Sequence, residues 1–183
     1  MKKVIVVDST YHVNGTSSAA ADFLAKNITN AEVEVFSLKD RRVNPCLGCN
    51  YCKAKDTPQC VQQDDMALLI GRIDQCDALV LCSPIYFGGI CGQAKIFLDR
   101  LYAFFNPGKP GMSIATKRGK KGLVVCTRSA PAAASGSYAE DMAKNFGFAG
   151  VDEARGLVCG EVRSGLSDEH IASLTELARW LSE

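Results

Sequence analysis

The sequence predicts one doubly wound α/β domain, a five-stranded parallel sheet in the order 2-1-3-4-5 with helices on both faces. Three observations lead there. Short apolar runs at Val4 to Val7, Ala78 to Cys82 and Leu123 to Cys126 are each bounded by turn residues and followed by a helical pattern, which is βα alternation. These runs are apolar on both faces, as strands in the middle of a covered parallel sheet must be; Val33-Glu34-Val35 alternates and Leu157-Val158-Cys159 is short and flanked by charge, as edge strands are. Right-handed crossovers joining five strands in this order put the second and fifth at the edges, which agrees with the apolarity.

Each element follows in turn. The first strand leads to a helix with apolar Ala20, Phe23 and Leu24, and the second strand to one with Met66, Leu69, Ile70 and Ile73. After the third strand, Gln93 to Phe105 reads as helix; after the fourth comes a helix with Tyr138, Met142 and Phe146, and after the fifth one with Ile171, Leu174, Ala178 and Leu181. Spacings of three and four residues give each helix one buried face. Asn106 to Gly122 is a long, basic, Gly-rich surface loop and Ala130 to Ser137 a small-residue one. A chain of 183 residues can bury one core, and no linker or repeat divides it, so residues 1–183 are expected to form a single domain.

Composition narrows the function. A net charge of +1, with both signs interspersed, provides no field for nucleic acid or an anionic membrane. The apolar run after Met1-Lys2-Lys3 is too short for a secretory signal, and no run approaches about 20 apolar residues, so a cytoplasmic protein acting on small molecules is expected. Its nine cysteines should then be thiols, metal ligands or redox groups. Cys82, Cys126 and Cys159 end apolar runs and read as small core residues; Cys76 and Cys91 sit at element edges.

Ligands of such sheets bind beyond the carboxyl ends of the strands where strand order reverses, here after strands one and three. The first of these loops, Asp8-Ser9-Thr10-Tyr11-His12-Val13-Asn14-Gly15-Thr16-Ser17-Ser18, clusters hydroxyls where the next helix begins with unpaired N–H groups. Ser9, Thr16, Ser17 and Ser18 would serve either a phosphate or plain helix capping. The second, Ser83-Pro84-Ile85-Tyr86-Phe87-Gly88-Gly89, offers a rigid turn, two aromatics and two glycines, suited to a planar ring or to a simple turn with core aromatics. A phosphate end and a planar end together match a flavin mononucleotide. Neither G-x-x-x-x-G-K-[ST] nor G-x-G-x-x-G after the first strand is present, which argues against a nucleoside triphosphatase and a Rossmann dehydrogenase.

The chain here resembles the flavodoxin-like NAD(P)H-dependent FMN reductases and, within them, the iron-sulfur flavoproteins. The resemblance is carried by the Ser9 to Ser17 loop, by Pro45-Cys46-Leu47-Gly48-Cys49 with Asp64-Asp65-Met66, and by Ser83-Pro84-Ile85-Tyr86-Phe87-Gly88 with Lys95 and Asp99-Arg100. It implies a flavodoxin-like fold, bound FMN, NAD(P)H as cosubstrate, and a homodimer or homotetramer with the flavin near an interface. The cofactor set expected is Ser9, Tyr11, Asn14, Thr16, Ser17 and Ser18 about the phosphate, Pro84, Ile85, Tyr86, Phe87 and Gly88 about the ring, and Thr127 and Arg128 after the fourth strand. Three positions depart from the family pattern. Asp8 replaces a usual glycine, Tyr11 a frequent arginine, and Thr127 to Ser137 is alanine-rich where relatives carry more glycine; an acidic Asp8 disfavours a phosphate unless it points away.

Cys46, Cys49, Cys52 and Cys60 are spaced C-x2-C-x2-C-x7-C between the second strand and the helix near Asp64. Four thiolates at compact spacing suit a 4Fe-4S cluster, although the run lacks the Cys-Pro ending of bacterial ferredoxins. Zinc and unligated thiols remain rivals; the separated C-x-x-C pairs usual for zinc are absent. With only His12 and His170 present, histidine metal sites and Cys-His catalysis have little support. The expected function is an oxidoreductase passing electrons from NAD(P)H through FMN to a cluster, a free flavin, a quinone or another small acceptor, with no acid–base catalytic side chain. The alternative is a non-catalytic carrier working with a ferredoxin, although such carriers are usually strongly acidic. A homo-oligomer is also expected from Leu101-Tyr102-Ala103-Phe104-Phe105, read as more aromatic surface than one helix face can bury.

Overall fold

The computed structural model describes residues 1–12 and 14–183; Val13, in the first loop, lies outside the described residues. Strands β1 (Lys2–Asp8), β2 (Ala31–Ser37), β3 (Ala78–Tyr86), β5 (Lys120–Thr127) and β6 (Val151–Cys159) form the parallel sheet in the order β2-β1-β3-β5-β6. The two-residue β4 (Gly89–Ile90) folds back antiparallel onto the end of β3. With β4 set aside, the five parallel strands run 2-1-3-4-5, and the edge strands are those with alternating or charged sequence.

Alternate residues of the central strands feed two cores, one on each face. Val4, Val6, Val80, Cys82, Leu123 and Val125 pack against α1 (Thr16–Asn27) and α5 (Asp168–Ser182) through Ala20, Leu24, Leu174, Ala178 and Leu181. Ile5, Val7, Leu79, Leu81, Val124 and Cys126 pack against α2 (Asp65–Gln75), α3 (Gly92–Arg100) and α4 (Tyr138–Lys144). Met66, Leu69, Ile70 and Ile73 are all fully buried, as the spacing of α2 predicts. Close approach is written into Gly156 on β6: a Cβ there would lie 2.1 Å from the Glu140 backbone N of α4. No described helix is long and apolar enough to cross a membrane.

Besides β6, which runs over nine residues from Val151 to Cys159 rather than as a short strand near Leu157, three boundaries differ from expectation. β3 does not end at Cys82 but runs on through Pro84, paired to Thr127. β1 stops at the Asp8–Cys82 pairing, so the missing proline N–H faces no strand on that side. β5 begins at Lys120 rather than Leu123; that lysine is buried, its ammonium donating to Ile73 O at 2.9 Å and Ala149 O at 2.6 Å. α3 stops at Arg100 and Leu101–Phe104 tightens into a 3-10 turn, so Leu101, Ala103 and Phe104 point into the chain's own core. Phe105 packs edge-on against Phe148 at 5.0 Å, which leaves Tyr102 exposed. The excess aromatic surface from which an oligomer was expected is therefore largely absorbed within the chain.

Candidate functional site

The carboxyl ends of β1, β3 and β5 meet at one rim. Backbone N–H and side chain of Ser9 both donate to Cys82 O on β3, at 3.1 and 2.9 Å. Cys91, before α3, lies with its sulfur 3.3 Å from Ser9 Oγ and 3.5 Å from Ser83 Oγ, so a buried Ser9–Ser83–Cys91 cluster welds the first loop to the end of β3. Ser17 Oγ and Thr127 Oγ1, 2.6 Å apart, tie α1 to the end of β5. Ser18 Oγ donates to Asp8 Oδ2 at 2.7 Å, and Thr16 Oγ1 to Val162 O at 3.4 Å. The four hydroxyls expected to face an anion are thus engaged within the chain, Ser9 most deeply.

Other donors remain for an anion at this loop. Thr10, which the expected set omitted, buries its Oγ1 with no hydrogen-bond partner. The N-cap of α1, Gly15, provides no side-chain cap to the first N–H groups of the helix. A Cβ at Gly15 would lie 2.7 Å from Thr10 Cγ2 and would have to displace the Thr10 side chain. Asp8, 5% exposed, accepts Thr10 N–H at 2.9 Å through its other oxygen and thereby holds two of the loop's donors. Tyr11 is exposed, as is Asn14 in a left-handed conformation.

The ring-side residues form the β3–β4 hairpin. Pro84 is buried and Ile85 half-buried against the core, whereas Tyr86 and Phe87 stand out in solvent at the tip. Phe87 and Gly88 both take positive φ, 49° and 82°, and turn the chain back. Tyr138 of α4 braces the hairpin, its hydroxyl accepting Ile90 N–H at 2.8 Å; the sequence pattern marked Tyr138 only as a core-facing helix residue. Arg128, after β5, donates to Ser135 Oγ and buries its Nε without a partner. The structure thus gathers the β1 loop, the hairpin and Thr127-Arg128 on one edge.

The cysteine segment is a loop closed at its neck. Arg42 N–H donates to Asp65 at 2.8 Å, Gln62 to Pro45 O at 2.9 Å and Asn44 N–H to Asp64 at 3.0 Å. Asp64 also caps α2 through Ala67 N–H at 3.0 Å and receives both Nη atoms of buried Arg100 at 2.6 and 2.8 Å. Burial alone would raise the Asp64 pKa; the hydrogen bonds from Arg100, Asn44 and Ala67 outweigh it and hold the carboxyl below its ordinary value. Farther out, Lys53 pins the loop to the turn after α3, its ammonium donating to Tyr102 O at 2.6 Å and lying 3.4 Å from the Tyr102 ring centroid. Burial lowers the Lys53 pKa, opposed by the sulfurs of Cys52 and Cys46.

Within this loop Gly48 (φ 62°) and Asn50 (φ 58°) wind the chain left-handed between Cys46, Cys49 and the 3-10 turn of Cys52. Cys46, Cys49, Cys52 and Cys60 all line one small pocket, with a cavity volume of about 30 Å³, together with Arg100, Tyr102 and Ala103. Cys46 and Gly48 also line a groove of about 790 Å³ that reaches Ile90 and Tyr138 at the base of the hairpin. Among the described residues no three cysteine, histidine or carboxylate side chains converge as the ligands of a single ion do. The four thiols are of the donor type that a cubane would take, one at each of its four corners. The remaining five cysteines belong to the core; burial pushes Cys76 and Cys159 up to about 11, Cys126 to about 12 and Cys82 well above its ordinary value, so these four stay protonated.

A parallel doubly wound sheet with a phosphate-type loop and an aromatic hairpin at its switch point defines a flavodoxin-like nucleotide-binding protein. Residues 1–147 match the family model of NADPH-dependent FMN reductases, and the chain belongs to that family. It is an NAD(P)H-dependent FMN oxidoreductase. An iron-sulfur flavoprotein of Archaeoglobus fulgidus is 30% identical over 173 residues, 92% of this chain and 74% of that protein. One of Methanocaldococcus jannaschii is 32% identical over 129 residues, 66% of this chain and 64% of that protein. Among solved structures, an NAD(P)H:quinone oxidoreductase from Methanothermobacter marburgensis superposes with a TM-score of 0.72 at 15% identity, covering 99% of this chain and 95% of the other, a likeness of fold.

Proposed function

We propose that the protein takes electrons from NAD(P)H onto FMN at the β1–β3–β5 rim and passes them, by way of a 4Fe-4S cluster in the four-cysteine pocket, to a small acceptor such as a quinone. FMN supplies the exchange between hydride and single-electron chemistry, so the chain's own work is placement. In this reading Thr10 Oγ1, Thr16, Ser18 and the first N–H groups of α1 hold the phosphate, with Ser9 and Ser17 fixing the loop from behind and Tyr11 and Asn14 at its rim. The hairpin Pro84–Gly88 flanks the ring, held in place by Tyr138, and Thr127 and Arg128 close the third side. The cysteines serve as ligands, Cys46, Cys49, Cys52 and Cys60 together.

The observation that carries this reading is that all four cysteines line one pocket, while Cys46 and Gly48 border the groove that leads to the hairpin. The iron-sulfur flavoprotein relatives support the same assignment. The test is an anaerobic titration of the assembled protein with NADPH and then with NADH, followed by a quinone. Flavin absorbance should bleach with nicotinamide alone and return on adding the quinone; absorbance indifferent to both nicotinamides would overturn the proposal.

A further inference from the structure

Arg100 ends α3 and is 2% exposed, yet its hydrogen-bonding capacity is only partly used. One Nη atom donates to Asp64 at 2.6 Å and to Asn44 O at 2.8 Å, and the other to Asp64 at 2.8 Å. These contacts fix the neck of the cysteine loop. The third nitrogen, Nε, is buried without a partner, and Arg100 lines the four-cysteine pocket. The Cys60 sulfur also lies against the guanidinium, within reach of a side-chain hydrogen bond.

Leaving a buried donor unpaired is costly, so closing the neck does not by itself account for a fork-shaped side chain whose Nε has no partner. Lys53 and Lys55, two further cations of the loop, have their ammonium groups on the Tyr102 carbonyl and ring and over the Tyr51 ring. We propose that Arg100 donates its Nε–H to a sulfur of the group held by Cys46, Cys49, Cys52 and Cys60, and by doing so raises the reduction potential of that group. This rests on the cluster reading above. The physical reason is charge: a cluster gains one negative charge on reduction, and an N–H···S bond from a cation stabilises the more negative form more. The same arginine would then serve twice, its Nη edge shaping the loop and its Nε edge setting the potential of what the loop holds.

The test uses the full chain, assembled anaerobically with FMN, iron and sulfide, in wild-type form and as Arg100→Lys, which keeps the charge beside Asp64 and loses Nε. In a potentiometric titration followed by electron paramagnetic resonance, Arg100→Lys should show a lower cluster potential. A tenfold drop in the reduced-to-oxidised ratio at fixed potential is the expected scale, about 59 mV for one electron. An unchanged potential with wild-type iron and sulfide content overturns the proposal. Should Arg100→Lys not fold, wild-type protein carrying 15N-arginine decides: pulsed resonance on the reduced cluster should detect a 15N coupling, and its absence overturns the proposal. Wild-type protein that assembles no iron or sulfide overturns the cluster reading itself, a separate outcome from a cluster without the arginine contact.

Discussion

Replacing Asp8 by asparagine takes one negative charge out of the loop that is proposed to hold the FMN phosphate. Asp8 is 5% exposed, and its two oxygens accept Thr10 N–H at 2.9 Å and Ser18 Oγ at 2.7 Å, so the carboxylate stands where an incoming anion would draw on the same donors. Two unit charges about 6 Å apart at an effective dielectric of about 20 repel by about 3 kcal/mol. Salt and the solvent-open rim cut this to about 1–2 kcal/mol, roughly a tenfold change in affinity. Asp8→Asn keeps an oxygen for Thr10 N–H and should bind FMN about ten times more tightly; Asp8→Gly, the family's usual residue, should do at least as well. Riboflavin, which lacks the phosphate, is the control, and its affinity should not move. Fluorescence titration of the stripped protein with both flavins reads the difference directly. An equal change for FMN and riboflavin, or weaker FMN binding in Asp8→Asn, would refute the reasoning, since the carboxylate would then be organising the loop for the ligand.

Two further outcomes concern stability. Asp64 has its pKa held down in the folded state, so its stabilisation is complete above the ordinary aspartate value near 3.9 and is lost as pH falls through the lower folded value. Asp64→Asn leaves Arg100 as an unpaired buried charge and should cost about 3–5 kcal/mol in urea unfolding at neutral pH; in the same series at falling pH the deficit relative to wild type should shrink. Gly156→Ala, whose Cβ would lie 2.1 Å from Glu140 N, should force α4 off β6 at a cost of about 1–3 kcal/mol, read as a lower melting temperature with unchanged strand content by circular dichroism.

Strand order was legible because apolarity on both faces at Val4–Val7, Ala78–Cys82 and Leu123–Cys126 separates middle strands from edges without any knowledge of contacts. The hydroxyls of the first loop were equally visible, but their partners were not. Ser9 bonds Cys82 across 73 residues and Ser17 meets Thr127 across 110, and no local pattern encodes such pairings. Thr10 escaped notice for the same reason, since only its burial without a partner distinguishes it. The aromatic run failed on periodicity: a 3-10 turn after Arg100 rotates each residue by more than an α-helix does and carries Phe104 inward. Proline at position 84 read as a turn because a central strand excludes it, and it is tolerated where β1 has already ended. In the cysteine segment the spacing marked the four thiols, whereas Arg100 and Asp64, 36 residues apart, become one unit only when the start of α2 meets the end of α3 in the fold.

The central claim is that the four cysteines hold a cluster while FMN sits independently at the rim. It is tested most directly by iron, sulfide and FMN analysis of wild-type and Cys49→Ser protein, both prepared without oxygen and supplied with iron and sulfide. The account predicts four irons and four sulfides per FMN in the wild type, and loss of the cluster with FMN retained in Cys49→Ser. Zinc in place of iron, no metal in the wild type, or loss of FMN along with the cluster would contradict it.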